Sequence, residues 1–273
     1  VREATATAEI FLANRARGRV ALGVCAAGGI TRRAQVAEQG SLRVRFPQSL
    51  AQDLEAVLVN TAGGSAGGDR LQCDVAVAAG ARLTVTSAAA EKVYRSLGDE
   101  AAIDLRLEVA AQGRLVWLPQ ETILFDRARL LRRIDVELAA DASLLIAEAV
   151  VLGRSAMGEA VEEGFLLDSW RVRRDRRLLF AESLRLEGAI AHQLARPAVA
   201  AGGVALATVL VVPADEAIAA ALRALKPRGE LGASAWNGFA LARLVAPDGA
   251  VLRHDLIALL TALGQSPARL WLN

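Results

Sequence analysis

Apolar and polar residues alternate with period two in three stretches: CDVAV at 73–77, DLRLEV at 104–109 and RIDVEL at 133–138. Each runs into the same device, a short turn written VAAGARL (77–83), VAAQGRL (109–115) or LAADASL (138–144). Beyond each turn comes a second extended stretch: TVTS, VWLP or LIAEAVV. Alternation on both sides of a Gly- or Asp-containing turn is the mark of strand–turn–strand. The units recur at offsets of 32 and 29 residues, a spacing that predicts stacked β units, each covering its neighbour's apolar face. The first half therefore reads as a solenoid-like stack or sandwich of β-sheets built from repeated hairpins.

The pattern continues with strands expected at 165–172, 178–187, 203–212 and 238–246, and PDG at 247–249 supplies a turn. Two helices are predicted. Residues 214–225 place Ile218, Ala221, Leu222 and Leu225 on one face, with Asp215 at the start and Pro227 and Gly229 past the end. Residues 254–264 form the second. No Pro- or Ser-rich linker divides the chain, so residues 1–273 are expected to form a single mainly-β domain.

Composition narrows the function classes. The 273 residues are 53% apolar but only 4% aromatic, and alanine-rich surfaces of this kind serve well as mild protein interfaces. A net charge of +2 is too small for a typical nucleic-acid binder. The arginine runs at 127–133 and 171–177 alternate with apolar residues, as solvated strand faces do. Cys25 and Cys73, without a CxxC pair, fit neither a disulfide framework nor a zinc site. No leader pattern precedes the body, and the opening Val1 reads as a trimmed N-terminus; a cytoplasmic protein is the expectation. The run at 198–212 is too short and too glycine-broken to span a bilayer, so no membrane partner is expected.

Three segments carry the candidate chemistry. GGSAGGDRL at 63–71 looks like a phosphate cradle, but no helix start, lysine or hydroxyl follows, and Asp69 would repel phosphate. Its glycines supply positive-φ turns, and Asp69 ties the loop or lends a carboxylate to an interface or metal path. EKVYRS at 91–96, as a strand, sets Lys92, Tyr94 and Ser96 on one side and Arg95 on the other; without a general base it reads as structural packing with charged edges or as a docking surface. In WLPQETILFDRAR at 117–129, Trp117, Pro119 and Phe125 are anchors among the polar Gln120, Glu121 and Asp126. Glu121 and Asp126 can also be read as an acid/base pair of a small-molecule enzyme, the alternative function. His192 and His254, the only histidines, sit in no metal or triad signature.

In order and spacing these segments, with VVLGRSAMGE at 150–159, resemble the urease accessory protein UreD (UreH) family: a GG…GGD loop, a KVYRS strand, WLPQETI and an LGRxAxGE stretch. The residues that carry the resemblance are Gly63, Gly64, Gly67, Gly68, Asp69, Lys92, Tyr94, Arg95, Ser96, Trp117, Pro119, Gln120, Glu121, Gly153, Arg154, Gly158 and Glu159. Ala62 and Ala88 depart from it, standing where the family often has Pro and Gln. The resemblance implies a protein that is not an enzyme: an adaptor binding urease apoprotein and a UreF-like partner, and through that partner a UreG-like GTPase, so that Ni²⁺ reaches the urease active site. It implies no tightly bound cofactor, only Ni²⁺ in transit. Asp69, Glu121 and Glu148 are the carboxylates expected near such a path, since scattered oxygen ligands release an ion that a His/Cys cage would trap.

Overall fold

The computed structural model describes residues 15–48, 53–154, 157–266 and 269–271. The first residues of the chain, on which the leader reading rests, lie outside these, as do Ser155 and Ala156 of the LGRSAMGE stretch. Seventeen strands are assigned among the described residues: β1 Arg17–Ala27, β2 Ile30–Gly40, β3 Leu42–Arg45, β4 Leu54–Asn60, β5 Arg70–Val77, β6 Arg82–Ser87, β7 Glu91–Val93, β8 Ala101–Val109, β9 Arg114–Leu118, β10 Thr122–Leu124, β11 Arg129–Leu138, β12 Ser143–Leu152, β13 Glu163–Arg174, β14 Arg177–Ala189, β15 Ala205–Val212, β16 Glu230–Trp236 and β17 Phe239–Ala246. Three helices join them: α1 Ile190–Leu194, α2 Glu216–Arg223 and α3 Gly249–Ala262.

Two sheets face each other. One runs β14-β13-β11-β8-β5-β1-β2; the other runs β16-β17-β15-β12-β9-β6-β4-β3, with β10 and β7 attached beside β12. The stacked, mainly-β reading holds, and the recurrence has a direct spatial meaning. Val77, Val109 and Leu138 are register partners on three parallel strands of the first sheet. Leu83, Leu115 and Leu144 are register partners on three parallel strands of the second. Equivalent positions of successive units thus lie directly above one another.

The repeated-hairpin detail is corrected. Each short turn carries the chain from one sheet to the other, so β5 and β6, β8 and β9, and β11 and β12 face each other across the core instead of pairing. The turns themselves stack through backbone bonds such as Gly80 N–H to Ala111 O at 3.0 Å and Ser143 N–H to Gly113 O at 2.9 Å. Apolar side chains on both flanks of the turn drive this, because both flanks can then bury them in one interior; Val77, Leu83, Leu107, Leu115, Val136 and Leu144 all do so. True hairpins occur at β1–β2, β13–β14 and β16–β17.

The expected strands at 165–172, 178–187, 203–212 and 238–246 appear as β13, β14, β15 and β17. Helix α2 starts at the expected cap, Asp215, whose side chain accepts from Ile218 N–H at 3.2 Å. Its buried residues are Ala219 and Leu222, so the inward face is rotated slightly from the expected one. Helix α3 begins five residues before the expected 254, capped by Asp248. Leu252, Leu256, Leu259 and Leu260 of α3 form a second apolar layer on the outer face of the β12–β15–β17 sheet. No described helix is long and apolar enough to cross a membrane.

Candidate functional site

The parallel strands give the stack two ends. At one lie the sheet-crossing turns. At the other, the four distinctive segments meet. Ser65 of the glycine loop pairs with the β7 strand, its N–H donating to Lys92 O at 2.7 Å and its carbonyl accepting from Tyr94 N–H at 2.8 Å. Phe125 N–H donates to Val93 O at 3.0 Å, and Gly153 N–H to Leu124 O at 2.8 Å. Tyr94 Oη donates to Gly63 O at 2.9 Å. The Tyr94 ring meets Phe125 edge-on at 5.1 Å, and the Arg154 guanidinium lies 4.1 Å over Phe125 while pairing with Glu159 at 2.7 Å.

The glycine loop answers to packing rather than to phosphate. Gly64 has φ +144°, and a Cβ there would come within 2.6 Å of Tyr94 Cε2 and 2.7 Å of Lys92 O. At Gly67 a Cβ would meet Ser96 Oγ at 2.1 Å. Asp69 is buried; its two oxygens accept from Ala16 N–H at 2.8 Å and Ala66 N–H at 2.7 Å, tying the loop to the start of the described chain. KVYRS is strand only through Val93. The chain then bends, leaving Ser96 bonded to Asp99 O and Leu97 nine-tenths exposed. Met157 is also exposed, and Lys92 and Arg95 have no carboxylate partner among the described residues.

WLPQE splits between the two sides of its sheet. Trp117 points into the core, its Nε1–H donating to Glu148 at 2.8 Å. Glu121 faces outward, where Arg253 of α3 donates to both its oxygens at 2.8 and 2.6 Å. Gln120 shares Arg253 and also bonds Ser87. Asp126 accepts from the backbone N–H of Glu162 and Glu163 at 2.9 and 3.2 Å. The acid/base reading of Glu121 and Asp126 is thereby overturned: each carboxylate is committed to separate structural partners.

Arg132 was expected on a solvated face and is instead buried. It shares the inward parity of Leu130 and Ile134, and that parity was the available signal. Its guanidinium joins Glu148 of one sheet to Asp168 of the other and donates to Thr122 Oγ1 at 3.2 Å. Asp168 also accepts from Trp170 Nε1–H at 3.1 Å. Burial pushes the Glu148 carboxyl up against the pull of Arg132.

Beside this cluster lies a cavity of about 250 Å³, lined by Trp117, Pro119, Thr122, Arg132 and Glu148 on one side and by Asn60, Gly64, Cys73 and Glu91 on another. Burial pushes the Cys73 thiol up to about 12, which removes it as a nucleophile. Glu91 accepts from Ser65 Oγ at 2.7 Å and Asn60 Nδ2 at 3.0 Å but has no cation partner among the described residues, and burial raises its pKa. A carboxylate raised in the folded state stabilises less as pH climbs through that raised value. Glu91→Gln, which keeps an acceptor oxygen, should therefore unfold like the unaltered protein in acid and at higher temperature than it near neutrality. Melting curves across pH that ran parallel would refute this.

Among the described residues, no group of three or more His, Cys, Asp or Glu is placed to hold a metal ion. His254 lies on α3 against Asp255 at 3.0 Å, and His192 lies on α1. The arrangement builds a firmly packed surface rather than a reactive centre.

Comparison with known proteins agrees. The family model for the UreD urease accessory protein matches residues 16–271. The urease accessory protein UreD of Rhodopseudomonas palustris is 56% identical over 270 residues, covering 98% of this chain and 97% of that protein. Urease accessory protein UreD 3 of a Bradyrhizobium species is 55% identical over 273 residues, covering 99% and 98%. This chain belongs to the UreD urease accessory protein family and is an accessory protein of urease maturation, not itself an enzyme.

Proposed function

We propose that this chain is an adaptor that holds urease apoprotein and a UreF-like partner, and through the latter a UreG-like GTPase, so that Ni²⁺ is delivered to the urease active site. The observation that carries this is the convergence of the four segments on one end of the stack. There a Tyr94–Phe125–Arg154 platform presents exposed Leu97 and Met157 beside Lys92 and Arg95, cations with no carboxylate partner among the described residues. Apolar anchors with cations on a stiff base suit protein contact. The free thiols of Cys25 and Cys73 accord with a cytoplasmic setting.

Nickel, as cargo, has one internal route to recommend, the inter-sheet cavity. Of the three carboxylates expected along a path, Glu148 lines that cavity. Asp69 and Glu121 do not line it: they are held by backbone amides and by Arg253, respectively. Glu91, which has no cation partner among the described residues, is a second carboxylate on the cavity wall for a passing ion.

The test is co-expression and co-purification with the urease apoprotein and the UreF-like partner, followed by nickel content and urease activity. The unaltered chain should form a stable ternary complex, and Leu97→Asp should weaken recovery by about tenfold. A well-folded chain that remains monomeric beside both partners overturns the adaptor reading. Glu91→Gln and Glu148→Gln should lower nickel incorporation while the complex still assembles; undiminished nickel in both variants removes the internal route alone.

A further inference from the structure

The opposite end of the stack carries a feature that the motif-bearing end does not explain. Two hairpin tips stand side by side there. In the β13–β14 tip, Asp175 and Arg176 have φ of +49° and +63°; in the β16–β17 tip, Asn237 and Gly238 have +49° and +82°. Paired left-handed residues match the right-handed twist of the strands and make tight, stiff turns. Arg174 Nη1 lies 3.5 Å from where a Cβ on Gly238 would stand, so the tips touch. An ion pair between Arg243 of β17 and Glu182 of β14 fixes the two sheet margins to each other.

A line of aromatic rings runs from the core to this surface. Trp170 meets Phe180 at 6.4 Å, Phe180 meets Phe239 at 5.6 Å, and Phe239 meets Trp236 at 4.3 Å, all edge-on. The first three are buried, whereas Trp236 is 44% exposed and Leu178, beside the tip, is 60% exposed. In a chain with so few aromatics, a tryptophan braced in this way and left open to solvent loses little further freedom on binding.

The arginines supply the second half. Arg174 Nε is buried and has no acceptor among the described residues. Buried N–H groups are rarely left so, because the donor gives up water without gaining an acceptor. Arg176 and Arg177 have no carboxylate partner among the described residues, and Asp175 is the single acidic residue of the tip. The half-buried Arg174 side chain reaches Gly238, two residues along from the exposed Trp236, and a guanidinium so placed matches a carboxylate flanked by an apolar side chain.

We infer that the two hairpin tips form a second docking surface, which takes an acidic segment of a partner protein with a carboxylate on Arg174 and an apolar side chain against Trp236 and Leu178. The inference rests on the adaptor reading, which calls for two separate contacts; this surface and the motif-bearing one sit at opposite ends of the stack, so both can be occupied at once.

The experiment measures pairwise binding of the full chain to urease apoprotein and, separately, to the UreF-like partner. Trp236→Ala and Arg174→Gln should each weaken one of the two associations by about tenfold and leave the other unchanged, with salt dependence reduced in Arg174→Gln. Leu178→Ser, at an exposed position, guards against a folding defect in the tryptophan variant, and unfolding temperature is recorded for all three. Both affinities unchanged in all three variants overturns the second surface while leaving the adaptor reading intact. An unaltered chain that binds neither protein overturns both. Binding of a single-stranded oligouridine that these variants abolish would reassign the surface to nucleic acid and overturn the protein partner.

Discussion

Replacing Arg132 with alanine should lower the unfolding temperature by roughly 10 °C, because it strands two buried carboxylates at a cost of about 3–5 kcal/mol. Glu148 and Asp168 are both buried, and Arg132 is the cation between them. The loss should deepen with pH. Glu148 is already pushed up by burial, and without the guanidinium that opposes this shift its ionised form becomes costlier still. A raised carboxyl gives its stability below the ordinary glutamate range and loses it as pH rises through the folded value, so the variant should suffer more at pH 8 than at pH 5. The combination Arg132→Met, Glu148→Gln and Asp168→Asn removes all three charges yet keeps acceptors for the Trp117 and Trp170 indoles. It should recover most of the loss, since a buried charge cluster replaced whole is often near neutral. Thermal unfolding of both variants across pH checks this. If the triple variant were as unstable as Arg132→Ala, the tie between the sheets, not the stranded charge, would be the source of the effect.

That cluster also shows where the sequence stopped being readable. The thirty-residue recurrence translated directly into stacked strands because register in a parallel stack follows the burial pattern. Whether a turn joins paired strands or facing strands was not legible, since VAAGARL reads the same in a hairpin and in a crossing between sheets. β2 went unread for a different reason. The positions opposite the buried Val24, Leu22 and Val20 of β1 are Arg33, Val36 and Glu38, which stay exposed, with Glu38 bonded to Val44 N–H at the edge of the facing sheet, so β2 carries no apolar face. Helix α1 is five residues long, too short for a periodic signal.

At the candidate site, the motif residues were visible one segment at a time, and their convergence was not. Gly64, Tyr94, Phe125 and Arg154 meet only because β7, β10 and β12 run parallel, side by side. Arg253, which holds Glu121 from 132 positions away, belongs to no motif and lies inside a helix expected to begin one residue later. Long-range partners of this kind are set by the order of strands and helices, which local pattern does not encode.

Trp271 offers the second large effect, with an expected cost of about 3–5 kcal/mol for Trp271→Ala and a fall in unfolding temperature again near 10 °C. The residue sits in a short 3-10 turn, Arg269–Trp271, and is 2% exposed among the apolar residues of α3 and the outer sheet face. Its Nε1–H lies 3.2 Å from Leu118 O and 3.3 Å from Thr86 Oγ1, so truncation removes a donor as well as packing. Arg253 lies over the ring at 5.9 Å and reaches Trp271 O at 3.5 Å while it holds Glu121. Trp271→Phe keeps most of the contact area and loses the donor, so it should fall between the two, at about 1–2 kcal/mol. Amide exchange should rise in α3, around Leu252–Leu260, more than in the inner sheet pairs, because the indole anchors the outer layer and not the core. Unchanged melting and unchanged exchange in Trp271→Ala would show that the layer holds without this anchor. If instead the layer loosens, the leucine face of α3 becomes exposed, and the variant should aggregate when purified alone.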